Sequence, residues 1–162
     1  MPNWCNNTFS VSHEDPAMIA KFAAALKEEK LFETFVPLST KDGEWDYSTA
    51  IETWGSKWDA SYGDVTIDED GKSCYGWFET PWGPAIAAYE KLFDLGFEVD
   101  VIYHEPGMCF AGHFSSPFDN EYFEYNFEDE NWRDEITDPD VLEWLENEYD
   151  NWLQWKEETE IE

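Results

Sequence analysis

Positive charge is scarce in this sequence. Its 162 residues include 9 Lys and Arg against 38 Asp and Glu, a formal net charge of −29 at pH 7. Nucleic acids are bound largely through Lys and Arg side chains that contact phosphates. The deficit therefore argues against direct binding to nucleic acid or to an anionic membrane surface. Such an acidic surface instead attracts basic proteins, at a rate that falls as salt is added.

Cysteine and long apolar runs are also scarce. Cys5, Cys74 and Cys109 are widely spaced and form no CxxC pair, so they predict no disulfide framework and favour a reducing compartment. No apolar stretch approaches the ~18 residues of a membrane helix. The N-terminus lacks the basic and apolar regions of a secretory signal. We expect a soluble cytoplasmic protein.

The common catalytic motifs are missing. The sequence contains no P-loop, GxGxxG or GxSxG pattern. In a tight hairpin, residues near His104 would pair with residues 108 or 109, which places His113 on the order of 13 Å further along the strand. Ligands of one zinc ion must lie much closer. We predict no metal, no cofactor and no catalytic residues, with an uncharacterised enzyme as an alternative.

Aromatic residues are abundant: they form 19% of the chain and include ten Trp, which excludes an acidic disordered chain. Apolar and polar residues alternate, as in strands, over residues 4–12, 57–67, 73–80, 97–105 and 108–116. Helical signals cover residues 15–30 and 83–96. The order β-α-β-β-α-β predicts an α+β fold of the ferredoxin-like, split β-α-β kind. In that plan, two helices pack on one face of an antiparallel sheet, here with extra strands.

Three stretches carry a resemblance to a known family. "MPNWCNN" at the start, "WGSKWDA" (54–60) and "FETPWGPAIAAYEKL…FEVDVIYHEPGMCFAGHF" (78–114) together resemble the YubB-like family of phage and plasmid proteins. The resemblance covers about residues 1–114. It implies a ferredoxin-like domain and an origin in a mobile element. It supplies no activity or catalytic residues, because the function of that family is largely uncharacterised.

Tryptophans are concentrated in these motifs and directly beside them. Trp4, Trp54, Trp58, Trp77 and Trp82 have a structural interpretation, in which they bury together in the core. The functional alternative is a groove that binds a small ligand or a peptide. The predicted groove residues are Trp54, Lys57, Trp58 and Trp82.

The composition changes after Pro117. Residues 114–162 hold 18 acidic and 2 basic residues. We divide the chain into a ferredoxin-like domain (1–116) and an acidic, aromatic extension (117–162) packed on it. "EYFEYNF" (121–127) alternates as an edge strand does. A helix follows over residues 138–158, with Asp138 as its N-cap, an apolar stripe on one face and carboxylates on the other.

The acidic face suggests a function. We predict a non-enzymatic protein that binds a basic, nucleic-acid-binding host protein. It would act as a nucleic-acid mimic that inhibits host defence or nucleic-acid machinery. The simpler interpretation is that the helix packs its apolar stripe on the sheet and leaves its acids in water. The predicted contact residues are Glu128, Asp129, Glu130, Trp132, Asp134, Glu135, Asp140, Glu143, Glu146, Asp150 and Glu157, with Trp132 and Tyr125 as aromatic anchors.

Overall fold

The computed structural model describes residues 2–161 and has a mixed α+β fold built on one antiparallel sheet. Its six strands are β1 (Trp4–Ser12), β2 (Ser61–Ile67), β3 (Ser73–Pro81), β4 (Glu98–Glu105), β5 (Phe110–Ser115) and β6 (Asp119–Glu124). They pair in the order β2-β3-β1-β4-β5-β6. Thus β2 and β3, β4 and β5, and β5 and β6 are neighbours in both sequence and sheet, whereas β1 lies between β3 and β4.

Five α-helices accompany the sheet in the described residues. Asp15 caps the first helix by accepting a hydrogen bond from the Ala17 N–H at 3.0 Å, as the sequence predicted. Residues 31–54 contain two short helices that the sequence did not reveal. The helices are α1 (Pro16–Lys27), α2 (Leu31–Phe35), α3 (Tyr47–Trp54), α4 (Ile86–Asp94) and α5 (Pro139–Ile161).

One face of the sheet forms the main core. The alternation predicted for β1 and β4 is confirmed, because Phe9, Val11 and Val101 point to this face and are buried. They pack with Phe22 of α1 and Tyr89 of α4. Apolar burial of this kind is the dominant stabilising contribution to a fold.

The opposite face is covered only in part. Val141 and Leu145 of α5 are buried against Ala111 of β5, in a second and smaller cluster. The predicted apolar stripe is therefore confirmed for the first half of this helix, whereas Leu153 and Trp155 at its far end are exposed. The cluster lies over the β4–β5 half of the sheet, and on the same face of β3 the side chains of Tyr75 and Trp77 are exposed. That asymmetry leaves an open cleft beside α5.

Two sequence predictions about the strands were wrong. The β4–β5 hairpin has a four-residue loop, with Glu105 opposite Phe110 and His104 opposite Ala111. His113 is thus two residues beyond the partner of His104, and not four. The strand predicted from residue 57 begins at Ser61, because residues 57–60 form a connection in which Asp59 accepts backbone hydrogen bonds from α2.

Within residues 2–161, no helix is both long and apolar enough to cross a membrane.

Candidate functional site

The outer face of α5 is lined with carboxylates. Asp140, Glu143, Asp150 and Glu157 are exposed, and at 100° per residue they fall within about 100° of one another around the helix. Their positions span about 26 Å at ~1.5 Å per residue. Five further predicted acids are exposed in the segment before the helix: Glu128, Asp129, Glu130, Asp134 and Glu135.

Both cations of the extension are already paired. Arg133 donates two hydrogen bonds to Glu146, one of them from Nη2 at 2.9 Å. Lys156 Nζ lies 3.2 Å from Glu128 Oε2. Glu146 is half-buried, and Arg133 offsets its charge. The other predicted acids of α5 are exposed. The remaining carboxylates have no basic side chain from the described extension to offset their charge.

The first turn of α5 is held to the sheet by a histidine between two carboxylates. His113 Nδ1 lies 2.7 Å from Asp138 Oδ2, and His113 Nε2 lies 3.0 Å from the carboxylate of Asp100. Burial disfavours the imidazolium, but these bonds and charges outweigh burial and raise the pKa of His113. Asp138 also caps the helix by accepting bonds from the Asp140 and Val141 N–H groups. The arrangement orients the acidic helix on the sheet.

The same cluster contains the potential metal ligands found within the described residues. One ligand atom each of His113, Asp138 and Asp140 falls within 4.8 Å of the other two. Both nitrogens of His113 face carboxylates at hydrogen-bonding distance. An ion would have to displace those hydrogen bonds and the cap of α5, so the geometry fits a structural clamp better than a metal centre.

A second histidine fixes the middle of α5. Trp144 Nε1 donates to His104 Nδ1 at 3.0 Å, and His104 Nε2 lies 2.6 Å from the Tyr125 hydroxyl. Because Nδ1 accepts, the proton of the neutral ring is on Nε2 and is donated to Tyr125. Burial lowers the pKa of His104 to about 4. The neutral ring therefore acts as a fixed link between the sheet and the Trp144 indole.

The predicted aromatic anchors are not at the surface. Trp132 is 4% exposed and Tyr125 is 9% exposed. The Trp132 ring packs against Phe127 and Tyr149, at 5.0 and 5.3 Å between centroids, and Arg133 covers it. Neither residue can be the rim anchor that the sequence suggested, because each is part of the small core under α5.

The predicted tryptophan groove exists in altered form. Trp54 and Trp58 line a cavity of about 450 Å³ with Trp45, which sequence reasoning missed. Lys57 and Trp82 do not line it. Lys57 Nζ lies 4.5 Å from the Trp58 ring centroid, and Trp82 is exposed elsewhere. Of the five tryptophans considered for the core, Trp54 alone is fully buried.

An acidic residue, Asp59, also lines this cavity. Asp59 accepts hydrogen bonds from the N–H groups of Phe32, Glu33 and Ala60, at 2.8 to 2.9 Å. Burial raises its pKa to about 6 in spite of those bonds. Because three backbone donors hold its carboxylate, Asp59 fixes the shape of this part of the cavity.

Comparison with known proteins yields little. No protein-family model matches the sequence, and no curated protein matches it. The chain is similar to a crystal structure of protein api92 from Yersinia pseudotuberculosis, described with the family model DUF1281. The identity is 18%, the match covers 49% of this chain and 30% of that one, and the TM-score is 0.39. The chain spans less than a third of that protein, and an overlap this weak carries no inference about fold or function.

Proposed function

We propose that this protein binds a positively charged surface of another protein through the acidic face of α5 and the segment before it. The observation that carries the proposal is an excess of carboxylates without counter-charges: residues 114–162 hold 18 acidic and 2 basic residues. Arg133 and Lys156 are the two basic residues, and both are paired. The field of the remaining carboxylates therefore extends into solvent, where it steers basic partners.

The shape of the face favours a partner that ordinarily binds nucleic acid. Asp140, Glu143, Asp150 and Glu157 lie along one helix. With Glu146 offset by Arg133, the other seven carboxylates of α5 supply about one charge per 5 Å of helix axis at ~1.5 Å per residue, the same order as the ~3.4 Å between charges along one DNA strand. We infer that the protein occupies the nucleic-acid site of a host protein stoichiometrically, as a mimic that inhibits host defence or nucleic-acid machinery. Such a mimic needs no turnover.

The fold and origin enter this proposal as well. The order β4-β1-β3-β2 within the sheet, with α1 and α4 in the two crossovers, supports a ferredoxin-like domain over residues 1–116 with residues 117–162 as its extension. We propose a phage or plasmid origin in the YubB-like family, on the motifs described above, and a cytoplasmic location. Three free cysteines within the described chain support the location.

The test compares two sets of charge-neutralising changes. Glu143→Gln, Asp150→Asn and Glu157→Gln together remove three charges from the face. The matched control removes three exposed charges elsewhere, with Glu28→Gln, Glu52→Gln and Asp94→Asn. Each triple variant and the wild type are used to capture partners from host lysate at low and high salt.

Partner affinity is then measured across a salt series. We expect the face variant to bind at least about tenfold more weakly than the control at low salt, with a shallower salt dependence. The captured protein should also release its nucleic acid in a 1:1 ratio with the added protein. Equal binding by both triple variants would show that net charge, and not this face, is responsible, and would refute the proposal.

A second function is favoured by one observation, the cavity between Trp45, Trp54 and Trp58. Three indole rings around about 450 Å³ suit a small ligand with a flat or apolar body. A module of this kind would lose ligand binding on Trp58→Ala and would keep it in the triple variant at Glu143, Asp150 and Glu157. A mimic should show the opposite pattern.

A further inference from the structure

The uncovered half of the sheet forms a cleft beside α5. The cleft has a volume of about 660 Å³ and lies between the half-buried Trp144 and strands β1, β2 and β3. Trp144 is held in place by its bond to His104. This bond sets the orientation of the indole that forms one wall of the cleft.

The floor of the cleft presents aromatic rings. Tyr75 and Trp77 are two residues apart on β3, so their side chains lie on the same face of the sheet, about 7 Å from each other. They are 49% and 40% exposed, although large aromatic side chains stabilise a fold most when they are buried. Trp77 stands opposite Asp64 on β2 and Thr8 on β1. Flat ring surfaces are thus open to a ligand between polar neighbours.

The charge of the cleft is negative. Asp64 and Glu79 line it, and no lysine or arginine does. Glu79 is half-buried, and burial raises its pKa. Within residues 2–161, no donor reaches the Glu79 carboxylate at hydrogen-bonding distance. Its oxygens keep some contact with water, and a ligand that donates hydrogen bonds would replace that water at a partly desolvated carboxylate.

Glu79 and the Trp144 wall belong to the same part of the cleft. Glu79 stands opposite Asn6 on β1, and Asn6 stands opposite His104 on β4. His104, which holds the Trp144 ring, therefore lies in the same row across the sheet as Glu79. Asn6 accepts a hydrogen bond from Thr8 at 2.8 Å, and its amide N–H groups remain as donors at the rim.

We propose that this cleft binds an arginine side chain of the basic partner, with the guanidinium on Glu79 and its flat face on Trp77. Arginine fits because its planar group stacks on aromatic rings and donates two parallel hydrogen bonds to one carboxylate. Lysine is a compact, strongly hydrated point charge and gains less from flat rings. The assignment rests on the proposed function for the identity of the partner, and the chemistry of the site is tested without that partner.

The test uses three capped tripeptides that differ in the central residue: Gly-Arg-Gly, Gly-Lys-Gly and Gly-citrulline-Gly. Citrulline keeps the shape of arginine and lacks its charge. Binding is followed by titration with NMR detection of the Trp77 and Trp144 indole N–H signals. We expect the arginine peptide to move both signals saturably and to bind at least about tenfold more tightly than the citrulline peptide. The lysine peptide should bind with intermediate affinity.

Matched variants locate the site. Glu79→Gln keeps the side-chain shape and should weaken binding of the arginine peptide about tenfold, whereas Glu157→Gln removes the same charge from α5 and should change it less than about twofold. Trp77→Ala should abolish the response of the Trp144 signal, and Trp155→Ala, at another exposed indole, should not.

Two results would overturn the inference. One is equal binding of the arginine and citrulline peptides, and the other is wild-type affinity in the Glu79→Gln variant. Neither depends on the α5 charges, so failure of the arginine site and failure of the proposed function are separable. The triple variant at Glu143, Asp150 and Glu157 should bind the protein partner more weakly, as stated above, and still bind the arginine peptide with wild-type affinity.

Discussion

Removing the buried leucine of α5 should destabilise the whole protein. Leu145 is 0% exposed and packs with Val141 and Ala111 between the helix and the sheet. Leu→Ala at such a site costs about 3 kcal/mol, because apolar contacts are lost and a cavity remains. For a chain of this length, that corresponds to a fall in Tm of about 6–12 °C.

The same helix supplies the control. Leu153 is 41% exposed, so Leu153→Ala should change the free energy of unfolding by less than about 0.5 kcal/mol. Unfolding in urea is followed by circular dichroism and by tryptophan fluorescence, for both variants and the wild type. If α5 belongs to one cooperative unit, the two signals should coincide in each protein.

Two outcomes would refute this reasoning. Equal stability of the Leu145→Ala and Leu153→Ala variants would mean that α5 is not packed on the sheet. A separate early transition in the Leu145→Ala variant, with a smaller m-value for the main one, would mean that the extension unfolds independently of residues 1–116.

Two other predictions concern titratable side chains. The pKa of His113 is raised, so the folded state is stabilised by protonation of this histidine. That stabilisation is complete below about pH 6.5 and is lost as the pH rises through the raised pKa. The wild type should therefore lose stability over that range in urea unfolding, and His113→Gln should flatten the dependence. If the stability of the variant depended on pH as that of the wild type does, His113 would not be the group that holds α5 to the sheet. Cys109 is exposed, whereas Cys5 and Cys74 are buried and their thiol pKa values are raised. A thiol reagent should thus label one cysteine rapidly in the native protein and three in urea, and fast labelling of all three would contradict the described core.

Regular elements were predictable from the sequence because their side chains repeat with a fixed period. The alternation of Phe9 and Val11 in β1, and of Val99 and Val101 in β4, identified the buried face. The apolar stripe of α5 was found in the same way, through Val141 and the residues that follow it at helical spacing. Period and phase are local properties, and they do not depend on what the element later packs against.

The contacts between elements were not predictable on that basis. A stripe on α5 indicates that a face is buried, but not that it covers only the β4–β5 half of the sheet and leaves Tyr75 and Trp77 exposed. The short α2 and α3 helices carry too few turns for a periodic signal. Trp132 lies in a single turn of 3₁₀ helix, where no pattern separates a buried ring from an exposed one.

The two proposed binding surfaces depend on α5 in different ways, and this makes their roles separable. The acidic face needs only that the helix be folded and oriented, which the His113 clamp and Leu145 ensure. The cleft needs the position of one side chain, Trp144, relative to Glu79 on the sheet. Displacing the helix by Leu145→Ala should therefore weaken binding of the protein partner and binding of the arginine peptide together. Neutralising the acidic face should affect only protein binding, and Glu79→Gln should chiefly affect recognition of arginine. Loss of peptide binding on neutralising the face would mean that the carboxylates of α5, and not the cleft, hold the arginine.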